Sequence, residues 1–337
     1  MKKDADDPGR LPVKIAILYS DAKREYFPTD EQYLTEAEVY PRAQLVSQIL
    51  RDLHYEVGLF PGDSNLSQNI KKFSPHFVIN LVDSIYGKEY LSASIPASLE
   101  LLNLPYTGTG IMGKTIDSNK FFTKNLLYQY GITTPKYQLV TDVNDVINSN
   151  LDYPLIAKLN EIHGGVEIND SAICYTEKKL RKRLDFLIST YHQPVLVEEY
   201  IAGKEITVIL LEGSNTKIYT GQKIFRKDVG KHKIVSFEAN WLDEGHLITY
   251  KKYRLPDPIK KTIKLAFDIL KMEDYAKFDI RVDDSGRHYF IDCNANPALG
   301  PKESGCAISS VLALYGIDFT EILRRLIINT LDGNRPL

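Results

Sequence analysis

Apolar runs alternate with amphipathic stretches over the first hundred residues of the chain. The β-branched run VKIAILY (13–19) is typical of a buried strand, and residues 35–54 then carry apolar side chains at helical spacing. YEVGLF, FVINLV and a helical pattern over 90–102 repeat this alternation, which predicts a parallel α/β domain. Ligands of such sheets lie beyond the carboxyl ends of the strands, which are marked here by Ser20, Asp21 and Asp83.

The rhythm changes after a helical stretch that runs from about Thr115 to Tyr130. The breaker-rich segment GITTPKY follows, and the strand candidates YPLIAKL, SAICY, PVLVEEYI, EITVILLEG and KIYTGQKIF then crowd together around one helix near 176–189. This pattern favours an antiparallel α+β unit over a continued parallel sheet. We expect a disordered tail at 1–12, an α/β domain at 13–114, a central lobe at 115–200 and a C-terminal lobe at 201–337.

Composition narrows the classes of function. The chain has 337 residues, which suits two or three packed units, and its net charge of -2 lacks the basic excess of nucleic-acid-binding proteins. Its three cysteines form no C-x-x-C pair, which favours a reducing compartment. MKKDADDPGR lacks the apolar core of a signal peptide, and no segment approaches membrane-spanning length. We expect a cytoplasmic protein without nucleic-acid or membrane partners.

The octapeptide GTGIMGKT (108–115) fits two nucleotide-binding motifs at once. It reads as the P-loop G-x-x-x-x-G-K-T, and it also contains the dinucleotide fingerprint G-x-G-x-x-G. A P-loop should follow a strong buried strand, whereas only LPYTG precedes this segment. We therefore interpret the glycines as serving a turn at the start of a helix, and a P-loop phosphotransferase stays open as an alternative.

The segment AKFDIRVDDSGRHYFIDCNANP (276–297) carries the strongest chemical signal. FDIRV and HYFID flank the turn signal DDSG and predict a hairpin. If Ser285 and Gly286 form a two-residue loop, Asp279 lies directly opposite Asp292, whereas a three-residue loop would put these acids on opposite faces. Facing carboxylates repel by about 3 kcal/mol at an effective dielectric of about 20, so they require a cation or a shared proton.

Asn294 and Lys277 project to the same face of the predicted hairpin as the two acids. Two carboxylates and an amide oxygen suit Mg²⁺ or Mn²⁺, which binds through a few protein oxygens together with substrate phosphates. Lys277 could stabilise an oxyanion beside them. The alternative is a surface hairpin whose acids are only solvated.

The order D-x(12)-D-x-N-x-N-P in this hairpin resembles the metal-binding end of ATP-grasp ligases, in particular the D-alanine–D-alanine ligase family. The resemblance extends over most of the chain, because INLVDSIYGKE with IPASLELLNLPYTGTG, then YPLIAK, then VLVEEYIAGKEITV follow the family's order. It implies a parallel α/β domain followed by a two-lobed ATP-grasp domain with antiparallel sheets. It also implies ATP-dependent carboxylate–amine ligation through an acyl phosphate, amino acid or amine substrates, a bound Mg²⁺ or Mn²⁺, and a homodimer.

The resemblance also implies roles for individual residues. The residues implied to bind ATP are Lys120 and Lys158 at the phosphates, Glu198, Tyr200 and Ile201 around the adenine, and Glu205 at the ribose. In the loop that covers the phosphates, Gly164 and Gly165 could supply backbone N–H groups. The residues implied at the reaction centre are Asp279, Asp292 and Asn294 at the metal, Lys277 at the tetrahedral intermediate, and Glu38 and Ser304 at the amino and carboxylate groups of the substrates.

Several positions depart from the family's pattern. The phosphate-covering loop, usually a glycine followed by serines, is EIHGGVE (161–167), and Asn240 and Trp241 stand where Lys-Tyr is usual. Asp292 replaces a glutamate, and NPALGPKESG replaces the proline–glycine loop that receives the second D-alanine. The expected reaction is therefore D-alanine–D-alanine ligation or ligation of a different pair, with ATP binding without catalysis as a further alternative. Loops 161–167 and 226–244 are the candidate lids.

Overall fold

Three sheets organise the part of the chain that the computed structural model describes, which is residues 13–213, 215–225, 232, 234–237, 241 and 248–331. The predicted tail at 1–12 lies outside these residues, as does most of the predicted loop at 226–244. No helix among the described residues is long and apolar enough to cross a membrane.

The first sheet is parallel, as the sequence predicts. Its strands, in the order β2-β1-β3, are β1 (Lys14–Tyr19), β2 (Glu56–Pro61) and β3 (Phe77–Leu81). Its helices are α1 (Asp30–Ala37), α2 (Val39–Asp52), α3 (Leu66–Phe73) and α4 (Ser94–Leu101). The single helix predicted over 35–54 is wrong, because α1 ends at Ala37 and α2 begins at Val39. Pro41 explains the break: it has no N–H to donate to the carbonyl of Ala37 and is tolerated only in the first turn of a helix.

The second sheet is antiparallel and has the order β4-β7-β5-β6. Its strands are β4 (Tyr137–Val140), β5 (Leu155–Leu159), β6 (Ile173–Cys174) and β7 (Val195–Glu199), and the helices beside it are α5 (Ile111–Asp117), α6 (Lys120–Gln129) and α7 (Glu177–Tyr191). The helical stretch predicted up to Tyr130 is divided because the side chain of Asn119 accepts a hydrogen bond from Phe122 N–H and so caps a new helix.

The third sheet is also antiparallel, with the order β10-β9-β8-β11-β12. Its strands are β8 (Lys204–Leu211), β9 (Lys217–Phe225), β10 (Ile248–Lys252), β11 (Tyr275–Val282) and β12 (His288–Asn294), and the remaining helices are α8 (Asp257–Ile269), α9 (Ala307–Ala313) and α10 (Phe319–Leu331). The predicted fold class, a parallel α/β unit followed by two antiparallel sheets, is confirmed.

The β11–β12 hairpin reaches the predicted pairing by a different route. Asp283 and Arg287 pair across a three-residue loop in which Gly286 has φ +83°, so the predicted two-residue loop is wrong. A bulge then shifts the register: Ile280 pairs with Phe290, whereas Asp279 pairs with Asp292. The extra residue in β12 restores the pairing that the longer loop would have destroyed, so both carboxylates face the same side.

The hydrophobic cores connect the ends of the chain. One core joins the first sheet and α2 to apolar residues of α9 and α10, including Val311, Leu323 and Leu326. A second core joins α6 to α8 and to the third sheet. The C-terminal helices therefore return to the first sheet, so the domain boundaries at residues 114 and 200 stay a prediction.

Candidate functional site

One cleft of about 1180 Å³ lies where the three sheets face each other. All of the site residues predicted from the sequence line it, namely Glu38, Lys120, Lys158, Gly164, Gly165, Glu198, Tyr200, Ile201, Glu205, Lys277, Asp279, Asp292, Asn294 and Ser304. Because these residues come from separate strands, helices and loops, their convergence is a property of the fold.

The GTGIMGKT segment does not form a phosphate cradle. The N–H of Gly108 donates to the buried carboxylate of Asp274 at 3.0 Å, and Lys114 pairs with Asp117 at 3.3 Å. A side chain on Gly113 would place its Cβ 2.2 Å from the carbonyl oxygen of Lys271, so this glycine permits close packing of α5. The segment also lacks the preceding strand of a P-loop, since Tyr106 makes only an isolated bridge with Val78.

A buried network of charges surrounds Glu198 at one end of the cleft. Lys158, from β5, lies 2.5 Å from Glu198, and Lys124, from α6, lies 2.6 Å from it. Burial would raise the pKa of Glu198, but the two ammonium groups outweigh that effect and lower it. Lys120 donates to the carbonyl of Ile162 at 2.6 Å. Burial lowers the pKa of Lys120, so an anion beside it would restore its preference for the charged form.

Arg281 organises the neighbouring part of the cleft. Its guanidinium donates to the carbonyl of Ile201 at 2.9 Å and to the hydroxyl of Tyr200 at 3.1 Å. It also lies over the Tyr200 ring, 5.1 Å from the centroid, and pairs with Glu205 at 2.8 Å. Lys223, from β9, binds the other oxygen of Glu205 at 2.7 Å. The sequence reasoning missed both cations, although Arg281 follows Asp279 with the strand period of two.

The EIHGGVE loop leaves backbone donors available. Gly164 and Gly165 have φ values of 75° and 74°, and the indole of Trp241 donates to the Gly164 carbonyl at 2.7 Å. The N–H groups of Gly164, Gly165 and Val166 donate to no acceptor among the described residues. Consecutive free N–H groups in this conformation form an anion-binding concavity.

Asp279 lies between two lysines. Its carboxylate is 2.5 Å from Lys277 and 3.1 Å from Lys223, and it accepts a hydrogen bond from Thr207 at 2.8 Å. Burial would raise the pKa of Asp279, but the two ammonium groups hold it well below its ordinary value. The cation that the facing carboxylates require is therefore supplied, in part, by protein side chains.

Asp292 makes no ion pair with any described residue, and its carboxylate accepts a hydrogen bond from the Asn294 amide at 3.2 Å. Burial would raise its pKa, but Lys120, His163 and Lys277 together lower it, so the group is ionised. The described residues contain no cluster of three His, Cys, Asp or Glu side chains arranged for a metal. An ionised carboxylate beside an amide still fits a hard cation that also uses substrate oxygens, with Asp279 as the further ligand.

The opposite end of the cleft is acidic, and the predicted contact of Glu38 with a substrate amino group stays a prediction there. Glu38 is exposed, whereas Glu36 is 5% exposed and accepts a hydrogen bond from the Ser84 hydroxyl at 2.7 Å. Burial, together with the nearby Asp83 carboxylate, raises the pKa of Glu36 to about 8. Asp83 itself pairs with Arg42 at 3.1 Å. The prediction that ligands lie beyond the strand ends points to this region.

Ser304 also lies at this end of the cleft. Its hydroxyl donates to the carbonyl of Pro301 at 2.7 Å. A substrate carboxylate would have to replace that partner, so the predicted contact stays a prediction.

Comparison with known proteins places the chain in a family. The family described as "D-ala D-ala ligase C-terminus" matches residues 126–328. A D-alanine–D-alanine ligase from Aquifex aeolicus is 24% identical over 75% of this chain and 80% of its own length. A protein from Sinorhizobium fredii described as uncharacterized is 24% identical over 77% of this chain and 80% of its own length.

A solved structure agrees with this result. The D-alanine–D-alanine ligase from Bacillus anthracis complexed with ATP superposes with a TM-score of 0.73 at 20% identity, covering 95% of this chain and 98% of that one. The chain therefore belongs to the D-alanine–D-alanine ligase family of ATP-grasp proteins.

Proposed function

We propose that this protein is an ATP-dependent carboxylate–amine ligase that releases ADP and phosphate. The observation that carries the proposal is the cleft in which buried lysines, an ionised Asp292 and loop N–H groups without an acceptor among the described residues converge. Each of these groups suits a triphosphate or its metal. A P-loop at 108–115 is not favoured, because the Gly108 N–H donates to Asp274 and Lys114 pairs with Asp117.

The nucleotide would occupy the end of the cleft between the two antiparallel sheets. Lys120 and Lys158 would bind its phosphates, and the N–H groups of Gly164 and Gly165 would receive phosphoryl oxygens. Tyr200 and Ile201 would border the adenine, with Glu198 beneath them. Glu205 would accept the ribose hydroxyls, oriented by its contact with Arg281.

The reaction would proceed in two steps. An oxygen of the substrate carboxylate attacks the γ-phosphorus, the bond to the β-phosphate oxygen breaks, and ADP leaves. The amine of the second substrate then attacks the acyl carbon, the amine loses a proton, and phosphate departs with the oxygen that came from the carboxylate. Lys277 would stabilise the oxyanion of the tetrahedral intermediate, since its ammonium is held at the reaction centre by Asp279.

Asp279, Asp292 and Asn294 would hold the divalent cation. Mg²⁺ or Mn²⁺ bound there would neutralise charge on the phosphoryl oxygens. The protein would keep Asp292 ionised, and Asp292 makes no ion pair with any described residue, whereas lysines contact the adjacent Asp279.

The substrates would enter at the acidic end of the cleft. The ammonium group of an amino acid would bind beside Asp83 and Glu36, where its positive charge would favour the ionised form of Glu36, and Ser304 would approach a carboxylate. Because residues 297–306 depart from the family's loop for a second D-alanine, a pair other than D-alanine with D-alanine is the second candidate. A cytoplasmic location, expected from the composition of the sequence, and a homodimer, implied by the family resemblance, complete the proposal.

ADP release from Mg-ATP would test this proposal across a pairwise panel of D- and L-amino acids, with mass spectrometry of the products. Lys158→Ala should abolish turnover and weaken ATP binding. Lys114→Ala is the matched control, because this buried lysine also lines the cleft but is committed to Asp117.

The outcomes of this experiment separate the candidates. Turnover with D-alanine alone would establish D-alanine–D-alanine ligation, and turnover with another pair would establish the second candidate. ATP binding without turnover would indicate a regulatory protein, whereas loss of activity only in Lys114→Ala would support the P-loop alternative.

A further inference from the structure

A histidine that lines the cleft takes no part in the reaction as described so far. His163 lies in the EIHGGVE loop, and its Nδ1 is 2.5 Å from Glu89 Oε2. The other oxygen of Glu89 accepts a hydrogen bond from the His163 backbone N–H at 2.7 Å. The Glu89 carboxylate, from the α/β unit, therefore fixes both the ring and the main chain of His163, which lies in the loop between β5 and β6.

Glu89 is suited to this task because it is a buried anion. Burial would raise the pKa of Glu89, but His163 and Lys120 together outweigh that effect and lower it. An ionised carboxylate can only accept, so the ring presents Nδ1–H to it. The arrangement resembles the way in which the aspartate of a catalytic triad orients its histidine.

The other ring nitrogen is left without a partner. His163 Nε2 is buried and forms no hydrogen bond with any described residue. His163 lines the main cleft, and it also lines a small cavity of about 10 Å³ together with Lys120 and Asp292. A buried polar atom without a partner costs about 1 to 3 kcal/mol, so this nitrogen favours a ligand atom that can satisfy it.

The neighbours of His163 identify the chemistry of that ligand atom. Lys120 offers positive charge around this point, and the N–H groups of Gly164 and Gly165 offer hydrogen-bond donors. The loop EIHGGVE contains no serine, so no hydroxyl group from the loop contributes. The group that satisfies all of these donors together is a phosphoryl group.

We propose that His163 is a catalytic residue whose Nε2–H donates a hydrogen bond to the transferred γ-phosphoryl group, with Glu89 as its positioning residue. In this arrangement both ring nitrogens donate, Nδ1–H to Glu89 and Nε2–H to a phosphoryl oxygen, and the second bond replaces the serine contacts that this loop lacks. This inference rests on the proposed function, because it assumes that the γ-phosphate of ATP reaches the floor of the cleft.

The test compares two nucleotides that differ at the γ-phosphate. Binding of ADP and of adenylyl imidodiphosphate, a non-hydrolysable ATP analogue, would be measured by calorimetry for the wild type, His163→Ala and His163→Gln. A charge-assisted hydrogen bond predicts that His163→Ala weakens the analogue about 10- to 100-fold while ADP binding stays unchanged. His163→Gln should recover part of the loss, because its amide also donates.

His288→Gln is the matched control. The Nε2 of His288 is also buried without a hydrogen-bond partner among the described residues, but His288 does not line the cleft. Its substitution should alter neither nucleotide's affinity. Glu89→Gln should weaken binding of the analogue less than His163→Ala does, because the ring can still donate a hydrogen bond but no longer lies beside a carboxylate.

The result that overturns the proposal is an equal loss for ADP and the analogue, or a His163→Ala protein that binds both as the wild type does. The nucleotide comparison does not depend on turnover, so a wild type that binds the analogue tightly but forms no product refutes the ligase function and still tests His163. A wild type that binds neither nucleotide refutes both proposals.

Discussion

Glu36→Gln tests the buried acid at the substrate end of the cleft. In the folded protein the pKa of Glu36 is about 8, against an ordinary value of 4.5. Between these values the folded state holds a proton that the unfolded chain releases, so the contribution of Glu36 to stability is complete below about pH 4.5 and is lost as the pH rises toward 8. From pH 5 to pH 8 this loss amounts to about 3 kcal/mol, at about 1.4 kcal/mol for each pKa unit.

Glutamine keeps the shape and the hydrogen bond to Ser84 but carries no proton to lose. The Tm of Glu36→Gln minus the Tm of the wild type, measured by calorimetry, should therefore rise by about 4 °C from pH 5 to pH 8 if the chain unfolds as one unit. The rise should be larger if the chain unfolds in parts. Glu38→Gln, at an exposed position three residues before Pro41, should show no such gain. Equal shifts of the wild type and Glu36→Gln with pH would refute the reasoning.

Three further predictions concern other parts of the cleft. Asp292→Asn should abolish metal-dependent turnover. It removes the one carboxylate of the predicted metal ligands that makes no ion pair with any described residue. Titration of Mn²⁺ followed by electron paramagnetic resonance should show weaker binding of the metal. Arg281→Lys should raise the KM for ATP about tenfold or more with a smaller effect on kcat, since lysine cannot contact Glu205, Tyr200 and Ile201 together; an unchanged KM would contradict this. Gly113→Ala should lower Tm by several degrees, because its Cβ would lie 2.2 Å from a backbone oxygen, and a stable variant would show that α5 can move.

The sequence predicted most strands whose apolar pattern was strong, and it missed two that lie at sheet edges. β4 lies in the breaker-rich segment GITTPKYQLV, and β10 has the composition ITYKK, with two lysines. Edge strands bury little and carry charged or polar residues, so their periodicity is weak. Neighbouring strands β7 and β9 are what hold these segments in extended form.

The hairpin shows how a correct pairing can follow from an incorrect loop. The pairing expected from a two-residue loop is correct at Asp279 and Asp292 but wrong from Ile280 to the loop, because the three-residue loop and the bulge each change the register by one residue. A bulge has no reliable sequence signal, whereas the demand that both carboxylates share a face is set by the chemistry of the site.

The candidate site could be located from the sequence, but its charge network could not. Motif order identified Lys158, Glu198 and Glu205, all of which line the cleft. No motif identified Lys124, which lies one turn after Lys120 in α6, or Lys223, and only the folded structure brings them within ion-pair distance of Glu198 and Glu205. The sequence did not identify the buried Glu36 at the substrate end for the same reason, since the break between α1 and α2 decides which helix face each acid occupies.

Transfer of oxygen from the substrate carboxylate to phosphate tests the central claim most directly. The purified protein would be given Mg-ATP, its amine substrate and the acid substrate labelled with ¹⁸O in the carboxyl group, and the released phosphate would be analysed by mass spectrometry. An acyl-phosphate ligase must deliver one labelled oxygen to each phosphate, because the attacking carboxylate oxygen stays on phosphorus when the amine displaces it. Release of ADP with unlabelled phosphate would contradict the account, since water rather than the carboxylate would then have attacked the γ-phosphate.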